Sequence, residues 1–149
     1  MLRESVEGYD HAAAITDAID PLRYLGLLAC AGGDLEEAAK WFGEEWIRLH
    51  QRGSQAALAV GLADVATLAA AREAWRPAAL LFAKAKALLQ AEAAAFSLPA
   101  REHYERAHAR ATDALGDAFQ AVAATGRTLT LEQALEEAEA VLELVRTTS

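Results

Sequence analysis

Four histidines, one cysteine, three tryptophans and a run of glutamates carry most of the chemical potential of this 149-residue chain. His11, His50, His103 and His108 do not make a metal site by spacing. The closest pair, His103 and His108, falls about 140° apart around a helix, which is poor for shared ligation, and Glu102-His103 is not part of an H-E-x-x-H motif. Cys30 sits in the apolar stretch LLACAGG and reads as a small core residue rather than a nucleophile. A lone cysteine forms neither an intrachain disulfide nor a cysteine metal cluster. Glu132, Glu136, Glu137, Glu139 and Glu143 crowd the last helical stretch. Nothing around them would bury a carboxylate and tune it for acid–base work, so they read as a solvated face, with Glu132 favourably placed at a helix N-terminus. No Ser-His-Asp order, nucleophile elbow or glycine-rich phosphate cradle is present. No catalytic residue, metal or cofactor is expected, and the chain does not read as an enzyme.

Binding is the remaining chemistry. Arg101, Tyr104 and His108 fall on one helix face, and a pocket lined by Arg and Tyr suits a small anion, with Trp75 plugging the gap between helices. The competing reading packs Tyr104 against the preceding helices and leaves Arg101 in solvent. Phe42 holds the core aromatic position of its helix, so Trp41 and Trp46 are expected partly outside the core, with Trp41 the better exposed contact.

The elements that must position these residues are helices. Alanine makes up about a quarter of the chain, and together with Leu and Glu it favours helix and close helix–helix approach. The formal net charge is −8, which argues against nucleic acid and against an anionic membrane surface. The first residues lack signal-peptide design, and no long uncharged apolar run suggests a membrane span. A cytoplasmic protein of one domain is expected.

In chain order, Tyr9–Ile19 reads as a short leading helix. Asp20-Pro21 then starts a second, which stops at Gly32-Gly33. Asp34 caps a third, bearing Ala38, Trp41, Phe42, Trp46 and Leu49, that ends at Gly53-Ser54. Ala56–Ala71 is apolar nearly all round and must be covered on most sides. After a break at Arg72–Arg76, a helix begins at Pro77 and runs toward Ala95. Ser97-Leu98-Pro99 marks the next boundary, Gly116-Asp117 an interruption, and a short piece with Phe119 and Val122 ends at Gly126. Thr130-x-x-Gln133 is a capping box for a last helix through Leu142 and Val145.

The chain repeats at an offset of 40. Leu22, Leu25, Gly26, Ala29, Leu35, Ala38, Phe42 and Leu49 fall on Leu62, Val65, Ala66, Ala69, Trp75, Ala78, Phe82 and Leu89, each keeping its size class. Such repetition marks stacked helical pairs. The expected fold is all-α, an α-solenoid of stacked hairpins with about six to seven helices. Its pairs cover about residues 20–52 and 54–95, and a specialised C-terminal end about 98–146.

Leu22, Leu25-Gly26, Ala29, Gly33-Asp34, Ala38 and Phe42 resemble the signature of the tetratricopeptide repeat. The second copy departs at Glu73-Ala74, where the turn glycine is usual, and the first at Glu45, where a small residue is usual. The tail, from Ser97-Leu98-Pro99 through Tyr104-Glu105-Arg106, Leu115-Gly116-Asp117-Ala118-Phe119 and Gly126-Arg127-Thr128-Leu129-Thr130, resembles the end of the tetratricopeptide-like region in STAND-type ATPase regulators of the LuxR kind, although Ala123 stands where Trp is common. That resemblance implies a non-catalytic regulatory arm that binds a protein or peptide. It does not carry over ATP hydrolysis or DNA binding, since neither a phosphate loop nor a basic recognition helix is present. By position in such arms, the partner groove falls on Arg23, Leu27 and Cys30 in the first copy and on Ala63, Thr67 and Ala70 in the second. Homodimer packing through the N-terminal end is the other expected partner arrangement. A small-molecule sensor using Arg101, Tyr104, His108 and Trp75 is the alternative function.

Overall fold

The computed structural model describes residues 11–91 and 98–148, with side chains placed for 21–90 and 100–147. The described residues form seven α-helices: α1 (His11–Ala31), α2 (Leu35–Arg52), α3 (Gln55–Ala71), α4 (Trp75–Ala91), α5 (Leu98–Leu115), α6 (Phe119–Thr128) and α7 (Leu131–Thr148), with a 3-10 turn at Gly116–Ala118 between α5 and α6. The all-α class expected from composition and periodicity is what the chain adopts.

The first correction is at α1. Asp20-Pro21 does not begin a new helix; α1 runs unbroken through Pro21. Proline removes the hydrogen bond that residue 21 would donate back to residue 17, a local cost. The C-terminal half of α1 is packed against α2 and α3, and that packing outweighs one missing bond. Tyr9 lies outside the described residues, as do 92–95, toward which α4 was expected to run. The second break is shorter than expected: α4 starts at Trp75, so Arg76 and Pro77 lie in its first turn, where a missing N–H costs nothing.

The repeat is visible bond for bond. Gly33 N–H donates to Cys30 O, Asp34 N–H to Ala29 O and Ala38 N–H to Asp34 O; forty residues on, Glu73 donates to Ala70, Ala74 to Ala69 and Ala78 to Ala74. Both turns pass through the left-handed region, at φ 82° for Gly33 and 67° for Glu73. The first hairpin uses glycine there, and the second forces a glutamate into the same conformation. Asp34 Oδ1 accepts from Glu37 N–H at 3.2 Å, the expected cap of α2, and Ser54 Oγ accepts from Ala57 N–H at 3.0 Å, which caps α3.

α3 is the hub. Every residue from Gly61 to Ala70 is buried, and the helix touches α1, α2, α4, α5 and α7. A helix with no polar face needs cover on all sides, and five neighbours supply it. Small residues make this possible, because Ala63, Ala66, Ala69 and Ala70 are all at 0 % exposure. The tail does not simply extend the stack. α6 packs on α4, and α7 turns back across α2, α3 and α4. A reciprocal capping box launches α7: Gln133 N–H donates to Thr130 Oγ1 at 3.1 Å and Thr130 N–H to Gln133 Oε1 at 2.9 Å. Its apolar stripe, Ala134, Ala138, Val141, Leu142 and Val145, is buried, while Trp46 Nε1 of α2 donates to Glu139 at 3.2 Å. No described helix is long and apolar enough to cross a membrane.

Candidate functional site

Two constellations lie side by side where α1, α3 and α5 meet. The first is a buried ionic knot. Arg23 on α1 places Nε 3.1 Å from Glu45 on α2 and 3.3 Å from Asp64 on α3. Tyr104 on α5 donates its hydroxyl to the other Asp64 oxygen at 2.5 Å. Exposure is 7 % for Arg23, 1 % for Glu45, 0 % for Asp64 and 2 % for Tyr104. Two carboxylates facing one guanidinium would leave a net negative charge in the core, which is costly. Burial accordingly pushes the Asp64 carboxyl up; the Arg23 charge and hydrogen bonds with Glu45, Tyr104 and Arg23 oppose it. Asp64 therefore holds a proton more tightly than a free carboxylate does. Burial also pushes the Tyr104 phenol well above its ordinary value, with the Asp64 charge adding to it. Tyr104 is thus a neutral donor, committed to Asp64.

The second constellation is a crevice of about 70 Å3. Leu27, Cys30 and Ala31 of α1 form one wall, Thr67 and Ala71 of α3 the floor, and His103, Arg106, Ala107 and Arg110 of α5 the other wall. It lies one helical turn beyond the knot on all three helices: Arg23 precedes Leu27, Asp64 precedes Thr67, and Tyr104 precedes Ala107. The Thr67 hydroxyl is turned back onto Ala63 O at 2.9 Å. Arg106 and Arg110 are exposed, and the Arg110 guanidinium lies 5.4 Å from the Trp75 ring centre, a cation–π contact that holds it at the rim. No carboxylate lines the crevice, although the chain as a whole carries −8. The Cys30 thiol is pushed up to about 12, by burial first and the Asp64 charge second, so it stays protonated and unreactive at neutral pH.

The residues singled out from sequence are distributed as follows. Leu27, Cys30 and Thr67 line the crevice. Arg23, Ala63 and Ala70 are buried outside its lining and present no side chain to a partner. Trp41 is half-buried away from the crevice, with Lys40 Nζ 5.0 Å from its ring centre. Arg101, Tyr104, His108 and Trp75 do not converge. Arg101 lies 4.0 Å from Glu105 at the surface, and Tyr104 points into the knot. His108 sits edge-on between Phe82 and Phe119, with ring centres 5.6 and 5.3 Å away. Partial burial there lowers the His108 pKa, helped by the Lys86 charge, and the ring's contacts are with these two aromatic rings. Trp75 is half-buried under Arg110. Trp46, expected partly outside the core, is buried at 7 %, because α7 covers it.

Glu45 and Asp64 escaped notice as interior residues. One signal was available: the offset of 40 places Arg23 on Ala63 and Glu45 on Ala85. Two positions on facing helices thus depart from small to charged together, with opposite signs. Arg106 and Arg110 gave no sequence signal, since they belong to the specialised end, which has no second copy to compare. Among the described residues no cluster of three or more His, Cys, Asp or Glu side chains could hold a metal ion. Compared with family models, curated proteins and solved structures, the chain matches none.

Proposed function

We propose that this chain is a non-catalytic protein-interaction module that receives a segment of a partner on the face formed by α1, α3 and α5. One observation carries the reading: a crevice lined mainly by Leu27, Cys30, Ala31, Ala71 and Ala107, with two arginines, Arg106 and Arg110, at its edge, on a chain that is acidic overall. Such a surface selects an apolar side chain flanked by a carboxylate, with the charge steering encounter and the apolar contact retaining it. At about 70 Å3 the crevice is far below the several hundred Å3 typical of pockets that enclose a metabolite, which favours a docked side chain over a sensed small molecule. The titratable groups best suited to acid–base work, Glu45, Asp64 and Tyr104, are buried and engaged with one another, which supports a non-catalytic role. The resemblance of the repeat and tail to the arms of STAND-type regulators supports a regulatory context for the interaction.

The test uses affinity capture followed by reconstitution. Proteins retained by the wild type are purified singly and titrated by calorimetry against wild type and R106E/R110E. At least one should bind the wild type and lose tenfold or more in affinity to the double variant, with affinity falling as salt is raised. A partner bound equally well by both proteins would move the site elsewhere, and metabolite-induced thermal shifts without any protein partner would favour the sensor.

A further inference from the structure

The outer face of α1 is a stacking interface without its partner among the described residues. Its template is α3. A Cβ built on Gly61 would meet Leu49 Cδ1 at 2.7 Å and the Trp46 ring at 3.4 Å, so the face of α3 bearing Gly61 is pressed against α2, the second helix of the preceding pair. Val65 and Leu68 follow Gly61 at four and seven residues and share that side of the helix; they are 1 % and 0 % exposed. Forty residues earlier, the same positions in α1 are Pro21, Leu25 and Leu28. Pro21 is exposed, and Leu25 and Leu28 are 42 % and 63 % exposed. The register that buries these positions in the second hairpin leaves them bare in the first.

The geometry points to a second copy of this chain as the occupant, with α1 packed on α1 of the partner about a two-fold axis. Two observations select a second copy. Between residues 21 and 33 of the chain, no exposed residue is charged; Arg23, the one charged residue there, is turned inward to the knot. Two chains each carrying −8 can therefore bring residues 21–33 together without like charges meeting along that stretch. In addition, among the described residues the far end of the stack offers no matching bare face: α6 lies so close on α4 that a Cβ on Gly126 would stand 2.5 Å from Leu80 O, and α7 covers α2, α3 and α4. Head-to-tail stacking lacks its second surface, whereas a self-complementary pairing of α1 with α1 closes at two chains. Leu25 and Leu28, spaced by three and preceded at four by Pro21, form the narrow stripe that such helix pairing uses. The surface is distinct from the α1–α3–α5 crevice, so the dimer should persist in R106E/R110E.

Sedimentation of the full chain tests this. For so short a seam, a dissociation constant on the order of 10–100 µM is expected. The wild-type mass should rise from 15.9 kDa toward twice that value as concentration crosses this range, while L25E/L28E stays at one chain with an unchanged unfolding midpoint. Leu28→Cys or Leu25→Cys, each in a Cys30→Ala background, should give a disulfide-linked dimer on oxidation. A wild type that remains one chain up to about 1 mM would overturn the proposal, as it would if another segment already covered the face. Equal association by L25E/L28E, or a dimer that neither cysteine variant cross-links, would overturn it as well.

Discussion

The two hairpins share a backbone template and fill it differently. Between α1 and α2 the first buries Arg23 against Glu45; at the same positions between α3 and α4 the second has Ala63 and Ala85, both at 0 % exposure. The reason lies in how many neighbours each helix has. α3 is met by five helices and α1 by three, α2, α3 and α5, so α3 must be slender where α1 has room for a long side chain. The charge on Arg23 is then used twice, because Asp64 of the second hairpin reaches the same guanidinium. The ionic knot is thus the joint between hairpins, and the alanine pair is what the template holds when no joint is needed.

The sharpest way to break this comparison is Arg23→Ala, which leaves two acidic groups buried without a cation. Loss of one partner from a buried ion pair costs about 3–5 kcal/mol, read as a lower urea midpoint. The double variant R23A/E45A gives the first hairpin the alanines of the second and should recover part of that loss, because Asp64 can keep its proton and its bond to Tyr104. A double variant no more stable than R23A would show that the two hairpins are not interchangeable at this position.

The raised Asp64 carboxyl gives a second test. Burial raises the Asp64 carboxyl, so the folded chain binds a proton there more tightly than the unfolded chain. That contribution is complete below the ordinary carboxylate range, near pH 4, and is lost as pH rises through the elevated folded value. Relative to D64N, the wild type should therefore lose stability as pH is raised from about 4, measured as the difference between two urea-midpoint profiles. Parallel profiles would place the proton elsewhere.

A smaller effect is expected at the helix crossings. In the first hairpin Gly26 lies against the Phe42 ring so closely that a Cβ would collide with it; the second has Ala66 in that place. Gly26→Ala should cost about 1–3 kcal/mol from overpacking, whereas Ala66→Gly should cost only about 1 kcal/mol of helix propensity. Smallest of all, Glu73→Gly gives the second turn the residue of the first and relieves the left-handed strain at φ 67°. A gain of about 0.5–1 kcal/mol is expected in thermal or urea unfolding, and a loss would mean that the Glu73 side chain does more than occupy a turn.

Much of the fold is legible in the sequence. The offset of 40, the caps at Asp34 and Thr130, and the nearly all-apolar character of α3 placed the hairpins and their centre, because local propensity and repeat register point the same way. What escaped were effects of distant residues. Pro21 reads locally as a helix start, but α1 passes through it. Trp46 reads as a half-exposed aromatic until α7, far along the chain, covers it. The site was less legible. Tyr104 and Arg101 share a helix face on paper, but Asp64, on another helix, draws the tyrosine inward. The Arg106–Arg110 rim has meaning only once α1 is set opposite it.

The return of α7 also shapes how the chain is made and how it comes apart. A stack in which each hairpin touches only its neighbours can fray from either end, one unit at a time. Here the bond from Trp46 to Glu139 joins residues 93 apart in sequence, and α7 lies across α2, α3 and α4. During synthesis, the faces that α7 covers stay wet until residues 131–148 have left the ribosome. Both hairpins can form early as helices but reach full burial late. The molecule should accordingly melt as one cooperative unit, with amides of α2 and α7 exchanging hydrogen at matching rates despite their separation along the chain.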